Sequence, residues 1–160
     1  MKYIFLILIL IISAPSQLIA KDNTVVKKWQ YEKIPDLIND TVRHVFFTTS
    51  TNNMTLLLTC ENDFSAWMVI LGSRPLRRPK SYIMRIDGGV PKSDGISSQE
   101  GRNIVLTTHP KKVDEILDSL TNGSSVVIRI IKEDGRKEDS VFDTSGLSLL
   151  TPNIKKACNQ

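Results

Sequence analysis

The sequence predicts an α+β fold in which an antiparallel β-sheet of about seven to eight short strands is covered by one or two helices. Most of the chain consists of short segments that alternate apolar and polar residues, as half-buried strands do. One segment after residue 109 has helical spacing instead. The dipeptide Asp134-Gly135, which is typical of a tight hairpin turn, separates two strand-like segments.

Eight segments have the composition and spacing of strands. Between residues 54 and 60 every second side chain is apolar or Cys, which predicts one buried face. In segment 64–71 both faces are apolar, so we expect this strand in the interior of the sheet. The polar residues 92–100 predict a surface loop. The predicted strands span residues 29–33, 42–49, 54–60, 64–71, 82–86, 102–107, 126–131 and 137–142.

Two segments in the C-terminal half have helical periodicity. The first begins at Pro110, a residue that is favourable at the first position of a helix, and ends at Asn122-Gly123. The second contains Pro152, which predicts that this helix is split or kinked. The apolar residues at helical spacing are Val113, Ile116, Leu117 and Leu120 in the first segment, and Leu147, Leu150 and Ile154 in the second.

Residues 1–20 have the three parts of a secretory signal peptide. A positively charged start is followed by an apolar run at 4–12, which is shorter than the roughly 20 residues that a membrane span needs. We expect cleavage after Ala20 rather than near Ala14, and the alternative is an uncleaved membrane anchor. The predicted product is a single domain, residues 21–160, that is secreted or periplasmic and has no stable membrane insertion.

The chain has two cysteines, Cys60 and Cys158. In an oxidising compartment an even number of cysteines indicates a disulfide bond, here one. The bond would close a loop of about 98 residues and would stabilise the fold by roughly 4–5 kcal/mol in the chain-entropy account. The alternative is a redox-active or nucleophilic cysteine, but no CxxC pair is present to support it.

The charge and the ligand inventory exclude several classes of protein. Lys and Arg number 21 against 17 Asp and Glu, so the formal net charge is only +4. This excess is too small to indicate nucleic-acid binding without a located basic patch. Two His and two Cys are too few for a zinc finger or an iron–sulfur cluster. We therefore expect no nucleic-acid partner, no bound metal and no cofactor.

The segment 72–80 is the most basic part of the chain, and two prolines stiffen it. Arginine side chains have a planar fork that matches carboxylate and phosphate groups. The segment is therefore predicted to contact an acidic protein surface or anionic lipid headgroups. The alternative is a solvated hairpin loop whose charges discourage aggregation at a sheet edge. The predicted partner-binding residues are Arg74, Arg77, Arg78 and Lys80.

The candidates for catalysis are scattered along the sequence. His44 lies in a predicted strand, and His109 precedes the first predicted helix, where it is expected to act as a cap. No nucleophile elbow accompanies either histidine. The turns that begin at Asp87 and Asp94 resemble fragments of a calcium loop, but they lack the alternating acids and the final Glu of an EF-hand. The sequence therefore predicts no catalytic residues.

Four short motifs follow one another in an order that resembles a known group of proteins. These motifs are a strand that begins at Trp29, a strand that ends at Cys60, an Arg-x-Asp strand at 85–87 and a Phe-Asp-x-x-Gly-Leu segment at 142–147 before Cys158. The order resembles that of small secreted proteins of Gram-negative bacteria, namely the VasI-like type VI secretion-associated proteins and the invasion-associated locus B-like proteins. The resemblance implies a similar fold and compartment, and it supplies no catalytic residues to transfer.

Together these observations predict a secreted interaction module that is not an enzyme. Its expected partner is another protein, either in the periplasm or in a host, and the chain would act as a periplasmic accessory factor or as an exported effector of the virulence type. The alternative is a small secreted hydrolase or a hydrolase inhibitor. An enzyme would need a pocket that gathers a His or a pair of carboxylates.

Overall fold

The computed structural model gives the fold of most of the predicted domain. It describes residues 23–26, 28–36, 38, 41–60, 66–72, 76–107 and 109–158. The predicted signal peptide at 1–20 lies outside the described residues, and so does Arg74 of the basic segment.

The described residues form eleven strands and two helices. The strands are β1 (Asn23–Val26), β2 (Trp29–Asp36), β3 (Thr41–Thr49), β4 (Thr55–Cys60), β5 (Ala66–Leu71), β6 (Pro79–Ile86), β7 (Lys92–Gly95), β8 (Ser98–Glu100), β9 (Asn103–Thr107), β10 (Ser125–Lys132) and β11 (Lys137–Asp143). The helices are α1 (Pro110–Thr121) and α2 (Leu147–Cys158).

The strands form two antiparallel sheets that share one hydrophobic core. The larger sheet has seven strands in the order β1-β2-β3-β4-β5-β9-β8, and the smaller has four in the order β11-β10-β6-β7. Helix α1 contacts β5, and helix α2 contacts β1, β3 and α1. The inner faces of both sheets and the apolar stripes of both helices contribute to the same buried cluster. The predicted α+β class is therefore confirmed.

The predicted number of strands is too low, and the strands form two sheets rather than one. The additional strands include β7 and β8, which lie in the region 92–100 that was predicted to be a loop. Every residue of β7 is exposed, so its sequence has no apolar alternation from which a strand could be recognised. Backbone hydrogen bonds to β6 and β9 place these short strands at the edges of the two sheets.

The interior position of the strand with two apolar faces is confirmed. Strand β5 pairs with β4 on one side and with β9 on the other. Ile70 on this strand is completely buried, as are Leu56 and Ile104, with which the register aligns it. The alternation of apolar residues in β4 and β9 thus supplies one continuous inner surface across three strands.

Helix α2 runs through Pro152 without a break, so the predicted splitting of this helix is wrong. A proline inside a helix costs about 3 kcal/mol because it removes a backbone hydrogen bond and crowds the preceding turn. Four apolar side chains of α2 are buried, and their burial offsets this cost. The hydroxyl of Thr151 also donates a hydrogen bond to the carbonyl of Leu147, 3.0 Å away, one turn earlier in the helix.

The disulfide bond joins Cys60, the last residue of β4, to Cys158, the last residue of α2. The two Cα atoms are 5.4 Å apart, within the usual range for a disulfide. Cys60 is almost completely buried, and Cys158 packs against the core from its edge. The predicted disulfide therefore holds the C-terminal helix against the larger sheet.

We predict that replacing both cysteines by alanine lowers the free energy of unfolding by about 4 kcal/mol, because the unfolded chain loses a long-range covalent constraint. Urea unfolding of the variant and of the wild type measures this difference. Mass spectrometry without reduction should find the wild type lighter by two hydrogen atoms than the reduced protein. Equal stability of the two proteins, or an unshifted mass, would contradict the role that we give to the bond.

Candidate anion-binding site

The loop between β5 and β6 is fastened to the rest of the protein by backbone contacts. The side chain of Leu76 is buried in the core, and its carbonyl accepts a hydrogen bond from the side-chain amide of Gln99 on β8. The carbonyl of Arg78 accepts a hydrogen bond from the backbone N–H of Glu133 at 2.9 Å. These contacts fix the backbone on both sides of Arg77, so residues 76–78 present the side chains of Arg77 and Arg78 from a defined backbone position.

The backbone of Arg78 adopts an unusual conformation. Its φ angle is +48°, in the left-handed region that residues with a Cβ rarely occupy. Such a conformation costs about 1–3 kcal/mol and persists only where the surroundings impose it. At Arg78 the conformation is imposed by the hydrogen bond from the backbone N–H of Glu133 and by the start of β6 at Pro79. The next residue, Lys80, is exposed on β6.

The hairpin turn between β10 and β11 faces this loop. It contains the predicted Asp134-Gly135 turn, in which Gly135 has a φ of +80°. One carboxylate oxygen of Asp134, Oδ1, accepts a hydrogen bond from the backbone N–H of Arg136 at 3.0 Å. The other oxygen, Oδ2, accepts from the guanidinium of Arg136, with the Nε donor 2.7 Å away. The carboxylate of Asp134 therefore closes the turn and partly neutralises Arg136.

The loop and the turn together form an open depression with a volume of about 540 Å³. Three guanidinium groups, one carboxylate and one amide lie on its walls. The residues that line it are Arg77, Arg78, Gln99, Asp134 and Arg136. We call this feature the arginine depression, and its chemistry suits a ligand that carries carboxylate or phosphate groups.

The three arginines of the arginine depression differ in how far their charge is already compensated. Within the described residues Arg77 has no ion pair. Arg78 lies 4.0 Å from the carboxylate of Glu133, which is the outer limit for an ion pair. The side-chain and backbone hydrogen bonds from Arg136 lower the pKa of Asp134, so this carboxylate remains charged well below neutral pH. Arg77 is accordingly the cation that is most available to an incoming anion.

The structure brings together only part of the predicted binding set. Arg77 and Arg78 line the depression, whereas Lys80 is exposed nearby on β6 without lining it. Arg136 and Gln99 were not predicted. Both are distant in sequence from the basic segment. Arg136 reaches it through strand pairing, since the register aligns Pro79 of β6 with Lys132 of β10. Gln99 lies on β8 at the edge of the larger sheet and reaches the segment through its hydrogen bond to the carbonyl of Leu76. Only the pairing of strands in both sheets, which the sequence pattern does not specify, could have revealed them.

The first histidine belongs to a packed aromatic cluster on β2 and β3. The hydroxyl of Tyr31 lies 3.0 Å from Nδ1 of His44. The ring of Tyr31 also stacks on Phe46, with ring centroids 4.8 Å apart. Burial, and secondly the positive charge of Lys33, lower the pKa of His44, so the imidazole is neutral at pH 7. These contacts give the imidazole a role in packing.

His109 occupies the N-cap position of α1, but its side chain makes no capping hydrogen bond. Its carbonyl accepts the N–H groups of Lys112 and Val113, each at 3.0 Å, as the backbone of any N-cap residue does. Side-chain caps are usually short polar residues whose oxygen reaches back to the first turn, and an imidazole lacks that geometry. The expectation of a histidine cap is therefore wrong for the side chain.

Asp87 uses its carboxylate to join the end of β6 to the loop before β10. It accepts hydrogen bonds from the backbone N–H groups of Ser124 and Ser125 and from both of their hydroxyls, over distances of 2.8–3.1 Å. Its own backbone has a φ of +44°. Gly123 lies so close that a Cβ there would be 2.5 Å from the side chain of Ile86. We call this arrangement the Asp87 clasp.

The described part of the chain has neither a metal-binding cluster nor a helix that could span a membrane. No group of three or more His, Cys, Asp or Glu side chains is arranged to hold a metal ion among these residues. None of the helices in the described ranges is both long enough and apolar enough to pass through a membrane.

The fold is similar to that of a protein of known crystal structure, the invasion associated protein B from Bartonella henselae. The TM-score is 0.59 and the sequence identity 9%, over 86% of this chain and 99% of that chain. No family model and no curated protein matches the sequence. The fold implied by the resemblance to the invasion-associated locus B-like proteins is therefore confirmed. The resemblance to VasI-like proteins stays a prediction.

We predict that Asp87→Asn lowers the melting temperature by a few degrees at pH 7, because the amide offers fewer acceptors to the two serines. The clasp lowers the pKa of Asp87 in the folded state, chiefly through the backbone hydrogen bond from Ser124. Its contribution to stability is therefore present above the unfolded pKa of about 3.9 and is lost as the pH falls further. Melting curves from pH 7 to pH 2.5 should show the two proteins converging in acid.

A matched control for this measurement is Asp114→Asn, which changes an exposed carboxylate on α1. This variant should melt like the wild type at pH 7. A difference between wild type and Asp87→Asn that stays constant down to pH 2.5 would show that the carboxylate charge is not what holds the clasp.

Proposed function

We propose that this chain is a secreted, non-enzymatic interaction module that binds an acidic surface of another protein through the arginine depression. The observation that carries the proposal is the fixed presentation of Arg77 and Arg78. A loop whose charges serve only solubility needs no defined backbone. In this loop a buried leucine and two backbone acceptors hold the arginines in place, and one of them adopts a strained conformation.

Because the backbone that carries Arg77 and Arg78 is already fixed, only their side chains lose conformational freedom on binding, which favours the complex. The exposed edges of the depression suit the rim of a protein–protein contact, where charge complementarity sets specificity and the rate of association. Arg77, which has no ion pair with any residue that the structure describes, would make the first contact. Binding should accordingly weaken as salt is added, because exposed charges are screened.

The compartment that we propose rests on the signal-peptide pattern at residues 1–20 and on the disulfide bond. The fold similarity to invasion associated protein B supports a virulence-related role, either as an exported effector or as a periplasmic accessory factor. In both settings the partner is a protein of the host or of the periplasm. The arginine depression favours a partner whose contact surface is acidic.

The proposal is tested with a fluorescent hexaglutamate peptide, whose binding to the purified protein is followed by fluorescence anisotropy at low and at physiological salt. We predict that Arg77→Gln/Arg78→Gln weakens binding about tenfold, since two exposed charge pairs are lost. Lys111→Gln/Lys156→Gln, which removes the same charge from exposed sites on the two helices, should leave binding unchanged.

Two outcomes would overturn the proposal. Equal weakening by the two double variants would show that overall charge, and not the depression, attracts the peptide. The second outcome is that the wild type does not bind hexaglutamate but binds vesicles of phosphatidylglycerol through Arg77 and Arg78. This result would indicate a lipid surface instead of a protein partner.

A further inference from the structure

Two carboxylates of the β10–β11 hairpin already lie beside arginines of the arginine depression. Asp134 accepts hydrogen bonds from the guanidinium of Arg136, and the carboxylate of Glu133 approaches Arg78. Both pairs are exposed: half of the Asp134 side chain and more of the other three side chains remain accessible to solvent. Exposed ion pairs contribute little stability and exchange readily with other charged groups.

The pair formed by Arg136 and Asp134 also has an unfavourable arrangement compared with a neighbouring pair. Arg129 donates to both oxygens of Asp139, at 2.6 and 2.5 Å, in the two-point geometry that makes arginine–carboxylate pairs strong. Both donors of Arg136 converge instead on the single oxygen Oδ2 of Asp134. The hairpin thus contains a two-point ion pair, Arg129–Asp139, and a weaker pair, Arg136–Asp134, whose guanidinium can exchange its carboxylate more readily.

The two oxygens of Asp134 have separable roles. Oδ1 holds the turn by accepting the backbone N–H of Arg136, and Oδ2 neutralises the guanidinium. The guanidinium can therefore leave Oδ2 for another carboxylate while Oδ1 keeps the turn closed. Glu133 is similar, because its backbone N–H holds the β5–β6 loop whether or not its side chain remains near Arg78.

We propose that Asp134 and Glu133 are internal competitors of the partner, and that an acidic segment of the partner binds by displacing them from Arg136 and Arg78. This inference rests on the proposed function and adds the way in which the site is regulated. The incoming segment first meets Arg77, which is without an ion pair in the described part of the chain, and then exchanges with the internal carboxylates. It must therefore carry several acidic groups close together, since a single carboxylate can replace only one of the internal partners.

The test is Asp134→Asn, in which the amide oxygen can keep the turn closed while the amide nitrogen cannot accept from the guanidinium. Hexaglutamate should bind this variant about two- to fivefold more tightly than the wild type, the range expected for one exposed ion pair. The control Asp139→Asn removes the same charge from the same hairpin but frees Arg129, which does not line the depression. Its affinity should equal that of the wild type.

A double-mutant cycle separates competition from a general change of charge. In an Arg136→Gln background the substitution Asp134→Asn should no longer increase affinity, because the guanidinium for which it competes is gone. Melting curves verify that all variants are folded. An equal gain in Asp139→Asn, an unchanged or weaker affinity of Asp134→Asn, or a gain that persists without Arg136 would each overturn the displacement mechanism.

The two proposals fail in different ways. Binding that depends on Arg77 and Arg78 but is indifferent to Asp134→Asn would reject the internal competition and leave the proposed function in place. Absence of hexaglutamate binding to the wild type and to Asp134→Asn alike, even at low salt, would reject both.

Discussion

The antiparallel pairing of β6 with β10 is the constraint on which the candidate site depends. At one end of this pair the Asp87 clasp accepts hydrogen bonds from Ser124 and Ser125. At the other end the carbonyl of Arg78 accepts the N–H of Glu133. A shift of one residue would break both ends and would turn the buried side chains between them outward. The position of the basic loop against the hairpin turn is therefore a consequence of sheet register.

The parts of the fold that could be predicted are those whose signal is local or covalent. A short stretch of sequence is enough to recognise the alternating strands, the amphipathic helix α1 and the Asp134-Gly135 turn. The disulfide could be predicted because the sequence predicts export to an oxidising compartment and two cysteines allow only one internal pairing. The edge strands β7 and β8 could not, because backbone hydrogen bonds hold them and their side chains carry no pattern.

Helix α2 shows how a local rule is overridden by the rest of the structure. The sequence around Pro152 predicts an interruption, and an isolated peptide would follow that preference. In the folded chain the buried face of the helix and the disulfide at Cys158 restrain it on both sides of the proline. The candidate site shows the same dependence on distant contacts, because Arg136 and Gln99 join Arg77 only through the sheets.

Internal pairing of charges also bears on how the proposed site would distinguish its partners. An open cluster of three unpaired arginines would attract any polyanion, and long-range attraction alone would make it promiscuous. In the proposed mechanism the carboxylates beside two of the three arginines set a threshold, because a ligand would gain affinity only where its own acids replace them. Specificity then arises from the cost imposed on ligands with too few or badly spaced charges. A strained, fastened loop serves this purpose, since a mobile loop could adapt its arginines to any spacing.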